Sequence, residues 1–416
     1  MQNNIFLKSN IILFTLIVSL GLLITGCSID TSSESYEDYN DITNIINDDD
    51  SYDNNNTNII IQQETEEKKE LIVEIIREDL KSPWGMDFIS NNKIIITEKV
   101  GSIVLLDLDT NETKSITGVP ELDVIGQGGL LDVVINDNEI YLTYSKGNGN
   151  GFATHIGKGI LDLGNYKIKD FKILYIAEPF MNGGAHFGSR ILLIDEYLFF
   201  TTGDRGQKNF GLEHVSQNTF NSLGKVIRLY KNGSIPKNNP FIDDENILDS
   251  IYTYGHRNIQ GIALNKQTNE IWISEHGERD GDSISILEAG GNYGWPITHY
   301  GCHYGTNRLV ADPPHENPEI INPVHYWECG SGGFPPAGMT FYYGDKFNDW
   351  NGNLFVGNLA GQYLGRFEVF EDGLVEHEPL LANRGWRIRD VKQSPNDEIY
   401  VLVDGNPGKI IRLTTK

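Results

Sequence analysis

"NDEIYVLVDGNPGKIIRLT", residues 396–414, decides the fold. A polar turn leads into an apolar strand, a Gly/Asn/Pro turn reverses the chain, and a second apolar strand leaves it. Branched and aromatic residues at a period of two argue for strands and against a helix. The same unit recurs as "NNKIIITEKVGSIVLLDL" (91–108), as "DNEIYLTYSKGN" (137–148) with "KGILDL" (158–163), and as "DEYLFFTTGDRG" (195–206) with "GKVIRLY" (224–230). It returns in "TNEIWISEHGERDGDSISILE" (268–288) and "NGNLFVGNLAGQYLGRFEV" (351–369).

A meander of this kind cannot bury both of its faces alone, and six of them are satisfied most simply by radial stacking. The sequence therefore predicts an all-β, six-bladed β-propeller over residues 71–416, with a pair of stacked β-sandwiches as the competing arrangement. "LIVEIIRE" (71–78) is expected to lie beside "KIIRLT" (409–414), which joins the two ends of the domain and leaves no open edge. Beyond residue 70 no stretch sustains a long apolar stripe at helical period.

The 416 residues are 39% hydrophobic, enough for a sizeable core. The net charge of −25 makes nucleic acid and other polyanions poor partners. At the N-terminus Lys8 precedes the apolar run 11–26, which is shorter than the roughly 20 residues a spanning helix needs. Residues 1–26 thus read as an export signal. "LITGC" (23–27) resembles the lipobox of bacterial-type lipoproteins, which implies that Cys27 becomes a lipidated N-terminus tethering the protein to a membrane; an ordinary signal peptide with an incidental cysteine is the alternative. Thirteen acids stand against Lys68 and Lys69 in residues 28–70, so 27–70 reads as a solvated, disordered linker. An exported chain permits a disulfide between Cys302 and Cys329; two buried thiols are equally compatible with the sequence, and neither cysteine has zinc-site spacing.

In a propeller, the ends of the inner strands bring residues distant in sequence to one channel mouth. "YGHRNIQGIAL" (254–264) places Arg257 and Asn258 at the entrance of such a strand, and a guanidinium there must find an anion or an acceptor. A structural ion pair is the plain explanation for a lone arginine. "NGGAHFGSRILLI" (182–194) places His186 among glycines before another strand, where it could accept a proton near neutral pH. In "FFTTGDRG" (199–206) Asp204 either forms a turn or, if it reaches His186, fixes that imidazole's tautomer. Gln127 opens a third strand, and alternation puts Arg387 and Arg389 on one strand face. A histidine, an aspartate and three arginines drawn from four blades suit a small molecule with several carboxylates.

Taken together, "SPWGMDF", "GQGGLLDV", "AHFGSRI", "TTGDRG", "GHRNIQGIAL", "SEHGERDGD", "GGNYGWP", "PPAGMTFY" and "RIRDV" resemble, in order from about residue 78 to the end, the soluble aldose sugar dehydrogenases dependent on pyrroloquinoline quinone (PQQ), the glucose and sorbosone dehydrogenase family. That resemblance implies a six-bladed propeller binding PQQ with Ca²⁺ at the channel mouth. It implies that His186 removes the hydroxyl proton at the anomeric carbon of an aldose while hydride passes to the quinone, that Asp204 orients His186, and that Arg257 stabilises charge growing on the quinone oxygen. Gln127, Asn258, Arg387 and Arg389, with Tyr304 in "CHYG", match cofactor contacts. The carbonyls of Gly277 and Glu278 would face the Ca²⁺, and that of Tyr293 a second calcium. An external acceptor would take the electrons.

Three positions depart from the family pattern. Glu278 stands where proline is frequent, Ser283 where a glutamate would hold the second calcium unless Asp282 substitutes, and Ala360 where some members place a lysine on the cofactor. Two other function classes fit a propeller: a binding module without chemistry, and a calcium-dependent lactonase, whose metal would want several carboxylate and amide ligands. No dinucleotide fingerprint is present.

Overall fold

The computed structural model describes residues 70–371 and 373–416. The expected export signal (1–26), Cys27 with its expected lipidation, and all of the expected 27–70 linker except Glu70 lie outside the described residues.

Among the described residues, twenty-four strands form six four-stranded antiparallel sheets. β1 (Leu71–Leu80) belongs to the last blade. The first blade is β2 (Pro83–Ser90), β3 (Lys93–Glu98), β4 (Ser102–Asp107) and β5 (Thr113–Ile116). The second is β6 (Leu130–Asn136), β7 (Glu139–Gly147), β8 (Phe152–Asp162) and β9 (Lys167–Ile176); the third is β10 (Ile191–Ile194), β11 (Tyr197–Thr201), β12 (Lys225–Tyr230) and β13 (Ile251–Tyr254). The fourth runs β14 (Ile259–Asn265), β15 (Glu270–Glu275), β16 (Ser283–Ile286) and β17 (His325–Tyr326), and the fifth β18 (Pro336–Phe341), β19 (Leu354–Asn358), β20 (Tyr363–Phe370) and β21 (Gly373–Glu376). In the sixth, β22 (Ile388–Gln393), β23 (Ile399–Val403) and β24 (Gly408–Thr415) are completed by β1, which pairs Leu71 with Thr415 and Val73 with Leu413. The expected closure of the ring by the first strand is therefore present, and among the described residues helix is confined to three short 3₁₀ turns.

Strand alternation explains the ring. In β7, Ile140, Leu142 and Tyr144 enter the core shared with the first blade, whereas Tyr141 enters the core shared with the third. In β3, Ile94 and Ile96 face the sixth blade while Ile95 faces the second. In β11, Leu198 and Phe200 face backward and Phe199 forward. Each blade is thus apolar on both faces and is buried only between two neighbours. The inner strands touch in sequence β2, β6, β10, β14, β18 and β22, and β22 returns to β2. This ring contact excludes the two-sandwich arrangement.

Five of the six inner strands carry a register shift near their entrance, between Pro83 and Gly85, Leu130 and Val133, Ile259 and Gly261, Pro336 and Met339, and Ile388 and Asp390. A bulge leaves a residue outside the ladder and re-aims its side chain, here toward the channel. Cys302, in the long insertion between β16 and β17, forms a disulfide with Cys329, just after β17, which settles the two possibilities left by the sequence.

Candidate active site at the channel mouth

Bulged residues build the wall of a cavity of about 320 Å³ at the mouth of the channel: Trp84, Leu131, Gln260 and Arg389 all line it. Three cations, Lys99, Arg387 and Arg389, face one carboxylate, Asp404. Arg389 Nη2 and both Nε and Nη2 of Arg387 reach Asp404 Oδ2 only at 3.3–3.4 Å, and Arg389 Nε, though buried, has no partner. Such long contacts leave donor capacity for a ligand. Apolar surface from Trp84, Leu131, Phe187, Pro335 and Leu359 completes a wall that suits a flat, carboxylate-bearing molecule.

His186 precedes Phe187 and Gly188, two wall residues, and is held by its backbone: its N–H donates to Gln127 Oε1 at 2.8 Å, with φ at +49°. The tight path is packed from behind. Gly203 lies so close that a Cβ there would sit 2.3 Å from the His186 carbonyl oxygen, and Asn258 Oδ1 accepts from Gly188 N–H at 3.1 Å. His186 Nδ1 lies 2.6 Å from Asp204 Oδ1. An ionised carboxylate only accepts, so Nδ1 carries the proton and Nε2 is left with a free lone pair; Nε2 makes no hydrogen bond among the described residues.

Asp204 is fully buried, and burial pushes its carboxyl up, but the His186 hydrogen bond, the Arg257 charge and the Gly206 N–H at 2.8 Å outweigh that and keep it ionised. Trp295 Nε1 donates to its other oxygen at 2.8 Å. Burial holds the His186 imidazole below its ordinary value, with Arg257 and Lys208 acting in the same direction and Asp204 opposing them. The site therefore presents a neutral imidazole with an outward base.

Arg257 sits beside this pair, 5% exposed, its backbone carbonyl accepting from Asp204 N–H at 2.8 Å. It lines a second, small void of about 30 Å³; His276 borders both this void and the large cavity, which places the two side by side. The plain reading of Arg257 as an ion pair is also present, because its Nη2 donates to Glu278 at 2.7 Å. Asp204 likewise forms the turn that its position suggested, through Gly206 N–H, besides reaching His186.

Gln127, Asn258, Arg387 and Arg389 all line the large cavity. Tyr304 does not: it is 65% exposed, outside the wall, with the Lys208 ammonium 5.5 Å from its ring. His186 and Asp204 share the third blade, so the histidine, the aspartate and the three arginines come from three blades rather than four; Gln127 supplies the fourth. Neither the Gly277 nor the Glu278 carbonyl accepts a hydrogen bond among the described residues, which leaves both available to a hard cation. Tyr293 and Ser283 meet in the small void. Asp282 accepts from Gly277 N–H at 2.9 Å through one oxygen and from Phe334 N–H at 2.8 Å through the other, which stiffens the turn. Sequence pattern alone does not point to Lys99, Gln260, Trp84, Trp295, Lys208 or Asp404; the signal for Gln260, Trp84 and Trp295 is their place at strand entrances or turns within the family-like stretches "GHRNIQGIAL", "SPWGMDF" and "GGNYGWP".

The glucose/sorbosone dehydrogenase family model matches residues 80–412. The aldose sugar dehydrogenase YliI of Escherichia coli (strain K12) is 34% identical over 356 residues, 83% of this chain and 93% of that protein. Quinoprotein glucose dehydrogenase B of Acinetobacter calcoaceticus is 29% identical over 437 residues, 82% of this chain and 91% of its own. The apo crystal structure of the soluble aldose sugar dehydrogenase from Escherichia coli superposes with a TM-score of 0.78 at 33% identity, covering 83% of this chain and all of the other. With the ring of six blades and the histidine–aspartate pair beside a cationic cavity, these likenesses place the chain: it belongs to the glucose/sorbosone dehydrogenase family.

Proposed function

We propose that the protein is a PQQ-dependent dehydrogenase that oxidises aldoses at the anomeric carbon to lactones and passes the electrons to an external acceptor. The observation that carries this reading is the free Nε2 of His186, fixed by the 2.6 Å contact with Asp204, at the edge of a cavity whose cations outnumber its carboxylates. The cavity fits the cofactor by its donor set: Arg387, Arg389, Lys99, Gln127 and Asn258 would hold carboxylates and carbonyls, with Arg257 in the adjoining small void. The carbonyls of Gly277 and Glu278 would hold Ca²⁺. When bound, the quinone supplies the hydride acceptor. His186 takes the hydroxyl proton at Nε2, Asp204 stabilises the imidazolium that results, and Arg257 offers a preorganised positive field.

The test is dye reduction by the purified full-length chain with a panel of aldoses, with and without PQQ and Ca²⁺. Reduction that needs both supports the reading. Lactone cleavage without the quinone would favour the hydrolase, and sugar binding without either activity the binding module.

Gly203→Ala offers a check on the pair that does not touch its side chains. The new Cβ would stand 2.3 Å from the His186 carbonyl and must push it aside. Displacing the histidine by about 1 Å is expected to lower turnover by about 10²-fold; because the same Cβ would stand 3.0 Å from Asn258 Oδ1, PQQ affinity, followed in a titration, should fall as well, but by less. Export and tethering through a lipidated Cys27 complete the proposal. Cell fractionation checks it: the wild-type chain should sediment with membranes, and Cys27→Ser should release it to the soluble fraction.

A further inference from the structure

Glu278 occupies the turn after β15 in a fixed pose. It is 6% exposed, and its backbone N–H donates to His299 Nε2 at 3.1 Å. Its carboxylate is shared: Lys208 Nζ lies 2.6 Å from each oxygen, and Arg257 Nη2 lies 2.7 Å from one of them. The rest of the Arg257 guanidinium is weakly engaged, with Nη1 3.3 Å from the His276 carbonyl and Nε unpartnered over the flank of Trp295. The strongest partner of the cation assigned to the ligand is thus a carboxylate of the protein itself, and a second cation competes for that carboxylate from the outer side.

We propose that Glu278 is a positioning residue that sets how much of the Arg257 charge reaches a bound anionic ligand, with Lys208 as the counterweight; this rests on the quinone reading above. Charge-assisted hydrogen bonds are about twice as strong as neutral ones, so a guanidinium engaged by Glu278 has less to give to the cofactor. Lys208 draws part of the carboxylate's charge away and returns some of that field. The side chain of Lys208 is 54% exposed, so its removal alters charge with little change in packing.

The pair of substitutions separates charge balance from structure. Glu278→Gln keeps the shape and removes the anion; Lys208→Met keeps the stem and removes the counterweight. Titration of each full-length chain with PQQ in excess Ca²⁺, followed by quenching of tryptophan fluorescence, should show tighter binding for Glu278→Gln and weaker binding for Lys208→Met. Each change should be about ten-fold, the lower end of the scale of one charge-assisted hydrogen bond. The midpoint potential of the bound cofactor should move in opposite directions in the two variants, positive for Glu278→Gln, because the stronger field favours the more anionic reduced form. Changes in the same direction, or none, overturn the proposal, since a merely structural role would weaken both. If Glu278→Gln does not fold, unchanged affinity in Lys208→Met overturns it alone. Failure of the wild-type chain to bind PQQ overturns the quinone reading as well, whereas wild-type binding with unmoved variants removes only the role of Glu278.

Discussion

His186→Ala should lower turnover by about 10²–10⁴-fold, the usual worth of a positioned general base, while leaving PQQ affinity within a few-fold of wild type. On the proposed reading the two effects separate, because the imidazole and the side chains proposed to hold the cofactor are different parts of the site. Gln127 holds the His186 backbone N–H, which alanine retains, and Asn258 Oδ1 holds Gly188. Arg387 and Arg389 stand in another blade. Only Nε2, the outward base, disappears. The pH profile gives a second readout on the wild-type enzyme. Burial keeps the imidazole below its ordinary value, so the base is unprotonated at neutral pH and the acid limb of kcat/KM should fall below about 6.5. Asp204→Asn, which exchanges an acceptor for a group able to donate to Nδ1, should disturb the tautomer and lower turnover without removing the ring. Stopped-flow single turnovers separate the chemical step from binding; a His186→Ala enzyme with wild-type kcat would take His186 out of the mechanism.

Much of this site was legible because strand ends in a propeller converge. His186, Asp204, Arg257 and Asn258 each sit within a few residues of a strand predicted from alternation, and the fold brings them together whatever the exact register. Lys99 and Asp404 were not legible for the opposite reason: each ends a strand of the correct type, but nothing in "TEKVG" or "LVDGN" says which mouth of the channel it faces. The bulges hid more. A one-residue slip reverses the face on which a side chain emerges, so Trp84, Gln260 and Arg389 reach the cavity through register shifts that a repeating pattern cannot express. Tyr304 failed to reach the wall because it lies in the long insertion of the fourth blade, where no strand fixes its direction. Glu278 was visible as a departure from the family pattern, but a single sequence carries no sign that its carboxylate turns back onto Arg257.

The bulges also converge on one buried cation, and its removal is expected to have the largest effect on stability. Arg190 is 3% exposed and donates through Nε to the Gln260 carbonyl at 2.8 Å and through Nη2 to the Arg389 carbonyl at 2.9 Å. Its Nη1 lies 3.1 Å from Asp132 and 3.0 Å from Asp390, and its guanidinium stacks 4.3 Å from the Trp84 ring centroid. One side chain from the third blade therefore ties together the first, second, fourth and sixth, and does so beside Trp84, Gln260 and Arg389, which line the large cavity. Arg190→Met would leave two buried carboxylates without the guanidinium that contacts both, with only the charge of Lys392 nearby, and breaking such a network typically costs about 3–5 kcal/mol. The midpoint of denaturant unfolding should fall accordingly. Burial already pushes the Asp390 carboxyl up, with Arg190 opposing it, so the substitution raises it further. A carboxyl with a folded pKa above its unfolded value of about 4 binds its proton more readily when folded, and stability is then lost as pH rises through the folded value. The deficit of the variant should accordingly shrink as the pH is lowered from 7 toward 5. Adding Asp132→Asn and Asp390→Asn to Arg190→Met removes the stranded charges and should recover part of the loss. A single variant with an unchanged midpoint, or a triple variant no more stable than the single one, would show that packing of the six blades alone, and not this ionic hub, holds the mouth of the channel in register.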